Sequence, residues 1–253
     1  MQAETARAID KISNCVRLVQ TSIRQLDIRL GGGLKNGWTH QIFGHSGCGK
    51  TQTCLQIATV ASQKMTVLYV DSEGSFDTSR IKVIAEAEGL NPKKALASIY
   101  YIRTGTMQEF YDYIMKDCEA LVEKKKIGLV IVDSIMGNLR PASLPHQMAK
   151  RQSFLIQILD KLNYIALKHN PSVVFTNQVL TKFSRVKRNQ DDASGGNIIL
   201  HYSKIIMEFK KLPSNHTAIT FTKAPFSTTS TITSGNDSDI LIKIDDTGVH
   251  DVD

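Results

Sequence analysis

The chain has 253 residues, of which 42% are hydrophobic and 22% charged, and its formal net charge is +7. This length suffices for one large domain whose core needs no disulfide or metal to stabilise it. No apolar run reaches transmembrane length and the N-terminus has no apolar signal region, so we expect neither a membrane-spanning helix nor a secretory signal. The four cysteines show neither metal spacing nor disulfide density, which is typical of reduced thiols in a cytosolic or nuclear protein.

Residues 1–20 differ in pattern from the rest of the chain. Ile9, Ile12, Val16 and Val19 follow helical spacing, with charged residues between them. We predict an N-terminal amphipathic helix or extension, packed on the core or offered to a partner.

The middle of the chain alternates between strand-like and helix-like segments. Three apolar runs, each followed by polar residues, predict buried parallel strands at 66–70, 129–132 and 173–175. Helical patterns cover residues 106–126 and 147–169, so we expect βαβ units with right-handed crossovers. Farther on, short β-branched segments predict an antiparallel extension of the sheet, at 205–211, 217–222, 228–233 and 240–244.

A phosphate-binding loop is predicted at residues 44–51. Their sequence, GHSGCGKT, matches the pattern G-x-x-x-x-G-K-[ST] in full, between a predicted strand at 39–43 and a predicted helix at 51–63. The glycines let backbone N–H groups turn toward phosphate oxygens, while Lys50 is expected to reach the β- and γ-phosphates and Thr51 to ligate Mg²⁺. We therefore predict an ATP and Mg²⁺ site. Its nucleotide-binding residues are Gly44, His45, Ser46, Gly47, Cys48, Gly49, Lys50, Thr51 and Gln52.

Two carboxylates are candidates for the chemistry of this site. Asp133 ends the apolar run 129–132, where ligands bind at the carboxyl edge of an open α/β sheet, and it is predicted to hold Mg²⁺ through a water. Glu73 follows the strand after the P-loop helix, so it is expected beside the phosphates. There it accepts a proton from the attacking water or orients it; the alternative is a solvated loop carboxylate.

These segments, together with residues 174–179 and 195–199, resemble the RecA/RadA family of strand-exchange recombinases. The resemblance covers residues 19–251 and is most specific at 71–76, DSEGSF. The chain is most similar to a core-only paralogue of the archaeal RadB type. This implies a RecA-like P-loop NTPase core over residues 21–253, of the α/β class. Its central sheet would be mostly parallel and flanked by helices, with an antiparallel C-terminal extension.

The resemblance also implies roles for three polar side chains. Glu73 would be the hydrolytic base, and Arg80 would lie along the adenine. Gln178, at the tip of the third strand, would sense the γ-phosphate and pass its state to the following loop. The alternative for Gln178 is an ordinary glutamine at the end of a strand.

Two loops are candidates for contact with single-stranded and double-stranded DNA. The first follows Gln178 and is polar and basic, as suits a segment that tracks a phosphate backbone, although a solvated charged loop is the alternative. Its candidate residues are Lys182, Arg185, Lys187, Arg188, Gly195, Gly196 and Asn197. The second follows residue 134 and contributes Arg140 and Arg151, but it lacks the Gly-Arg-Gly stretch of the family. The alternative for Arg151 is the solvated face of the helix that follows.

Three departures from the family indicate an assisting role. Only about twenty residues precede the core, where principal recombinases carry a helical DNA-binding domain. No phenylalanine precedes Phe43, so we do not expect the Phe-x-x-Ala hook that joins subunits into a filament. Ala224-Pro225-Phe226 replaces the Asp-x-Pro of the family's ATP cap.

We therefore expect an ATPase that binds DNA, hydrolyses ATP slowly and assists a principal RecA/RadA-type recombinase. Assembly into a homo-oligomer is compatible with this expectation. Its compartment would be the nucleoid-containing cytoplasm of an archaeon or bacterium, or a eukaryotic nucleus. The alternatives are a full strand-exchange recombinase that forms filaments on single-stranded DNA and a RecA-fold signalling ATPase that binds no DNA.

Overall fold

The structure, a computed structural model, describes residues 18–137, 145–178, 197–225 and 239–252. The strands are β1 (Leu18–Val19), β2 (Leu34–Lys35), β3 (Thr39–Gly44), β4 (Thr66–Asp71), β5 (Ile99–Arg103), β6 (Ile127–Asp133), β7 (Ser172–Gln178), β8 (Ile205–Lys211), β9 (Thr217–Lys223), β10 (Ile240–Ile244) and β11 (Val249–Asp251). The helices are α1 (Arg24–Arg29), α2 (Lys50–Ala61), α3 (Thr78–Ala87), α4 (Pro92–Ser98), α5 (Met107–Asp112), α6 (Cys118–Lys125), α7 (Pro145–His169) and α8 (Asn197–Tyr202), and a π-helical turn, Tyr113–Asp117, joins α5 to α6. Within these ranges no helix is both long and apolar enough to cross a membrane.

Nine strands form one sheet in the order β11-β10-β9-β8-β3-β7-β6-β4-β5. The six strands from β8 to β5 are parallel, and β9, β10 and β11 continue the sheet antiparallel. The predicted α/β class with its mostly parallel sheet and antiparallel C-terminal strands is confirmed. One detail differs: β8 is antiparallel to β9 but parallel to β3, so this strand belongs to both parts.

Helices cover both faces of the parallel strands, which explains why those strands are apolar along their whole length. In β4, Val67 and Tyr69 pack in one buried cluster with side chains of α2, whereas Leu68 and Val70 pack in another with side chains of α7. The two cores hold the strands from both sides. The carboxyl ends of β3, β4, β6, β7 and β8 therefore meet along one rigid edge.

The helix predicted at 106–126 is present but not regular. Thr106 caps its start by accepting a hydrogen bond from the backbone N–H of Glu109 at 3.1 Å. After two turns the chain widens into the π-helical turn, and Lys126, with φ of 49°, ends the last helical turn in the left-handed region.

The N-terminal prediction is wrong where it includes Val19 in a helix. Leu18 and Val19 form β1, which pairs antiparallel with β2 and places Val19 opposite Leu34. Both of these side chains are buried, and their cross-strand contact outweighs the helical spacing. Residues 1–17, and the strand predicted at 228–233, lie outside the described residues.

Candidate functional site

The predicted P-loop connects β3 to α2 at the carboxyl edge of the sheet. Gly49 takes a left-handed conformation (φ of 96°) at the N-cap of α2, which glycine adopts without strain. A β-carbon at Gly44 would overlap the carbonyl oxygen of Phe209 in the neighbouring strand β8. The glycines of the motif are therefore required both by the tight turn and by the close approach of β8.

Lys50 lies folded into the loop. Its Nζ donates hydrogen bonds to the carbonyl oxygens of Gly44 at 2.8 Å and His45 at 2.7 Å, and only 7% of the residue is exposed. Burial raises the pKa of the Cys48 thiol, although the nearby Lys50 opposes the shift. Two backbone carbonyl groups of the loop therefore hold the ammonium group of Lys50, which contacts phosphate oxygens in P-loop proteins.

Asp133 lies at the end of β6, 2% exposed, in contact with the start of α2. It accepts hydrogen bonds from the hydroxyls of Thr176, Thr51 and Tyr69, the last at 2.9 Å. Burial raises the pKa of Asp133, and these three hydrogen bonds oppose the shift. Thr51 and Asp133 bring two hard oxygen donors together, which fits the oxygen coordination that Mg²⁺ requires.

Glu73 and Gln178 meet at the same edge. The Nε2 of Gln178 lies 3.3 Å and 3.4 Å from the two carboxylate oxygens of Glu73, and the hydroxyl of Ser134 donates to Glu73 at 2.6 Å. The candidate base and the candidate γ-phosphate sensor are thus in direct contact.

The turn that carries Glu73 is organised by Asp71, which is fully buried. Its carboxylate accepts hydrogen bonds from the backbone N–H groups of Glu73 at 2.9 Å, Gly74 at 2.7 Å and Phe76 at 3.0 Å. The hydroxyl of Tyr101, on the edge strand β5, donates to the same carboxylate at 3.2 Å. Asp71 is therefore a positioning residue, and the sequence patterns did not single it out.

Lys50, Thr51, Asp133, Glu73 and Gln178 line one cavity of about 410 Å³. Its lining includes six residues at the P-loop: Ser46, Gly47, Gly49, Lys50, Thr51 and Gln52. At the ends of β4, β6 and β7 it includes Glu73, Asp133, Ser134, Thr176 and Gln178. Four predicted nucleotide-binding residues do not line it. Gly44 packs on β8, Cys48 is buried beneath the loop, and His45 accepts a hydrogen bond from Lys50 through its carbonyl. The fourth is Arg80.

Arg80, on α3, lies beside the P-loop helix. It donates to the Oε1 of Gln52 at 2.7 Å, to the carbonyl of Asp245 at 2.6 Å and to the carbonyl of Asp246. The side chain thus ties α2, α3 and the turn between β10 and β11 together. Its place along an adenine ring stays a prediction.

A sequence model described as Rad51 matches residues 12–252 of this chain. The chain belongs to the Rad51 family. It is 30% identical to the DNA repair and recombination protein RadA of Metallosphaera sedula, over 98% of this chain and 76% of that protein. It is 29% identical to the protein of the same name from Ignicoccus hospitalis (87% of this chain, 71% of that protein) and 31% identical to that from Aeropyrum pernix (83% and 68%).

Membership of the Rad51 family confirms the RecA/RadA resemblance drawn from the P-loop and residues 71–76. Of the predicted DNA-binding residues, Asn197 begins helix α8, as the pattern predicts, and Arg151 lies in the second turn of α7. The others lie outside the described residues; they are Arg140, Lys182, Arg185, Lys187, Arg188, Gly195 and Gly196.

The hairpin of β8 and β9 supplies a side of the cavity that the sequence patterns missed. Lys211, Asn215 and Thr217 line it, and the hydroxyl of Thr217 donates to the carbonyl of Cys48 at 3.1 Å. Nothing in residues 205–217 indicates that β8 pairs with β3. The sequence patterns therefore did not place this hairpin beside the cavity.

Proposed function

We propose that this chain is an ATP-dependent, DNA-binding protein of homologous recombination and repair, a recombinase paralogue that acts as a mediator with weak, DNA-dependent ATPase activity. One observation supports this most: Lys50, the pair Thr51 and Asp133, and Glu73 all line the same cavity. A protein that had lost nucleotide chemistry would have no reason to retain all of these groups around one cavity.

Each group has a distinct task in this proposal. The P-loop backbone and Lys50 bind the phosphates, and Thr51 and Asp133 hold Mg²⁺, which neutralises phosphate charge when bound. Glu73 orients the attacking water and accepts its proton, held for this by Ser134 and by the turn around Asp71.

Coupling to DNA is proposed to pass through Gln178. This residue ends β7, contacts Glu73 and immediately precedes the basic segment of the sequence. Loss of a hydrogen bond from the amide to phosphate or water would shift the backbone that follows it. The state of the nucleotide would thereby change the affinity of the loop for single-stranded or double-stranded DNA.

The sequence supports an assisting role over that of principal recombinase. Ala224-Pro225-Phe226 provides no carboxylate where the family's ATP cap has Asp-x-Pro. A site whose closure lacks that carboxylate is expected to turn over slowly. We propose that the partner is a principal RecA/RadA-type recombinase and that the protein works where DNA is, in the nucleoid-containing cytoplasm or the nucleus.

The test measures ATP turnover with and without single-stranded DNA, alongside strand exchange by the protein alone and with a RadA-type recombinase. We expect slow turnover that DNA accelerates, and strand exchange that improves only when the recombinase is present. Lys50→Ala is the control: it should abolish nucleotide binding while circular dichroism shows a retained fold. Efficient strand exchange by the protein alone would refute the mediator role. Absence of DNA binding at low salt would instead favour an ATPase that acts on proteins.

A further inference from the structure

We propose that Lys211 is a second phosphate-binding cation of this site, supplied by the β8–β9 hairpin of the same chain. The inference rests on the proposed ATP site and adds a residue to it. Lys211 is exposed to solvent at the rim and lines the cavity that also contains Lys50. It lies outside the P-loop motif, and its position follows from the sheet.

The alternation of β8 directs Lys211 toward the P-loop. Met207 and Phe209, two and four residues earlier, pack in the buried cluster that includes side chains of α2. Because side chains in a strand alternate between faces, Lys211 shares this face and Lys210 lies on the other. Thr217, the cross-strand partner of Lys211, donates to the carbonyl of Cys48 in the P-loop itself.

The hairpin also fixes the backbone on which Lys211 is carried. Its turn is closed by hydrogen bonds from the N–H of Leu212 to the carbonyl of His216 at 2.8 Å and from the N–H of Asn215 to the carbonyl of Leu212 at 3.1 Å. Asn215 has φ of 63°, a conformation that asparagine tolerates in tight turns. A cation on a short, bonded turn loses less conformational entropy on binding a phosphate than one on a long loop.

Lys211 offsets negative charge that the other groups of the cavity leave uncompensated. Glu73 and Asp133 bring two carboxylates to a site that must accept a triphosphate of about four negative charges. Lys50 and Mg²⁺ together supply only about three positive charges. Lys211 reduces the remaining negative charge, and its effect should increase with the charge of the nucleotide.

The experiment measures the affinity of a fluorescent ribose-labelled ATP and the matching ADP, both with Mg²⁺. Lys211→Ala should weaken ATP binding about tenfold and ADP binding about threefold, since a hydrogen bond to a charged group retains part of its strength in a partly exposed site. Lys211→Arg should restore ATP binding to within about threefold. Lys210→Ala is the matched control and should leave both affinities within about twofold, and the melting temperature without nucleotide should not change in any of the three.

The proposal is overturned if Lys211→Ala binds ATP within twofold of wild type, if Lys210→Ala loses as much, or if arginine does not restore binding. These results are distinguishable from failure of the proposed ATP site. In that case the wild-type protein would not bind nucleotide, or Lys50→Ala would bind it normally.

Discussion

Replacing Asp71 by alanine should uncouple ATP binding from ATP hydrolysis. Three backbone donors lose their common acceptor: the N–H groups of Glu73, Gly74 and Phe76, now at 2.7 to 3.0 Å from the carboxylate. A hydrogen bond to a charged acceptor contributes about 1.5–3 kcal/mol, which sets an upper limit of about 5–9 kcal/mol for three. Glu73 and Gly74 are exposed and can bind water instead, so we expect a loss of about 3 kcal/mol in the free energy of unfolding.

The same change should lower ATP turnover more than ATP affinity. Glu73 loses the turn that fixes its position, so we expect kcat to fall at least about tenfold. The P-loop is carried by β3 and α2, which do not depend on this turn, so nucleotide affinity should stay within about threefold. Urea titration followed by circular dichroism gives the stability, and steady-state hydrolysis gives kcat.

Tyr101→Phe is the matched control for Asp71→Ala. It removes one hydrogen bond to the same carboxylate, from a residue that is 40% exposed, so it should cost about 0.5 kcal/mol and leave kcat unchanged. A stability loss below about 1 kcal/mol in Asp71→Ala would show that the turn does not depend on the carboxylate. Turnover within twofold of wild type would show that Glu73 does not depend on the turn.

Three further changes test separate parts of the molecule. Glu73→Gln should reduce kcat by about 10²–10⁴-fold with ATP affinity nearly unchanged, as expected for loss of a general base; unchanged hydrolysis would remove Glu73 from the mechanism. Neutralising the basic loop should reduce the slope of log affinity for single-stranded DNA against log salt by about 3, and an unchanged slope would place the DNA contact elsewhere. The residues to neutralise are Lys182, Arg185, Lys187 and Arg188. Hydrogen bonds from Lys161, Lys168 and His169 hold the pKa of Glu119 at about 2, below the usual value near 4.5. This depressed pKa gives stability that is complete above about pH 4.5 and lost as the pH falls toward 2, so the difference in unfolding free energy between wild type and Glu119→Gln should disappear over that range in urea titrations. A difference that stays constant with pH would contradict the role of this cluster.

The parallel strands and the P-loop were predictable because local signals specify them. The apolar runs at 66–70, 129–132 and 173–175 lie within β4, β6 and β7, and the glycine pattern fixes the loop between β3 and α2. In each of these segments, a pattern of a few consecutive residues is enough to predict the structure. The strands are buried on both faces, so their sequences are continuous apolar runs.

The missed features depend on contacts between distant parts of the chain. Residues 205–211 were predicted as a strand. Their pairing with β3, however, depends on which edge of β3 remains unpaired once the other strands are in place. Lys211 enters the cavity only through that pairing, and Asp71 is distinguished from any strand-end aspartate only by the turn that folds over it. Val19 fits a helical spacing in the sequence, but in the structure it lies in β1 and pairs with Leu34.

The strand order also has a consequence for synthesis of the protein. β3, made early, lies between β7 and β8, and the bond from Thr217 to Cys48 joins residues 169 positions apart. Until residues 172–178 have been made, both hydrogen-bonding edges of β3 lack their partners, and the edge that pairs with β8 stays open until residues 205–211 follow. A nascent chain that ends before β8 therefore has the P-loop sequence but neither the strand that packs against Gly44 nor the hairpin that lines the cavity. We therefore expect nascent chains that end before residue 217 to lack the complete cavity.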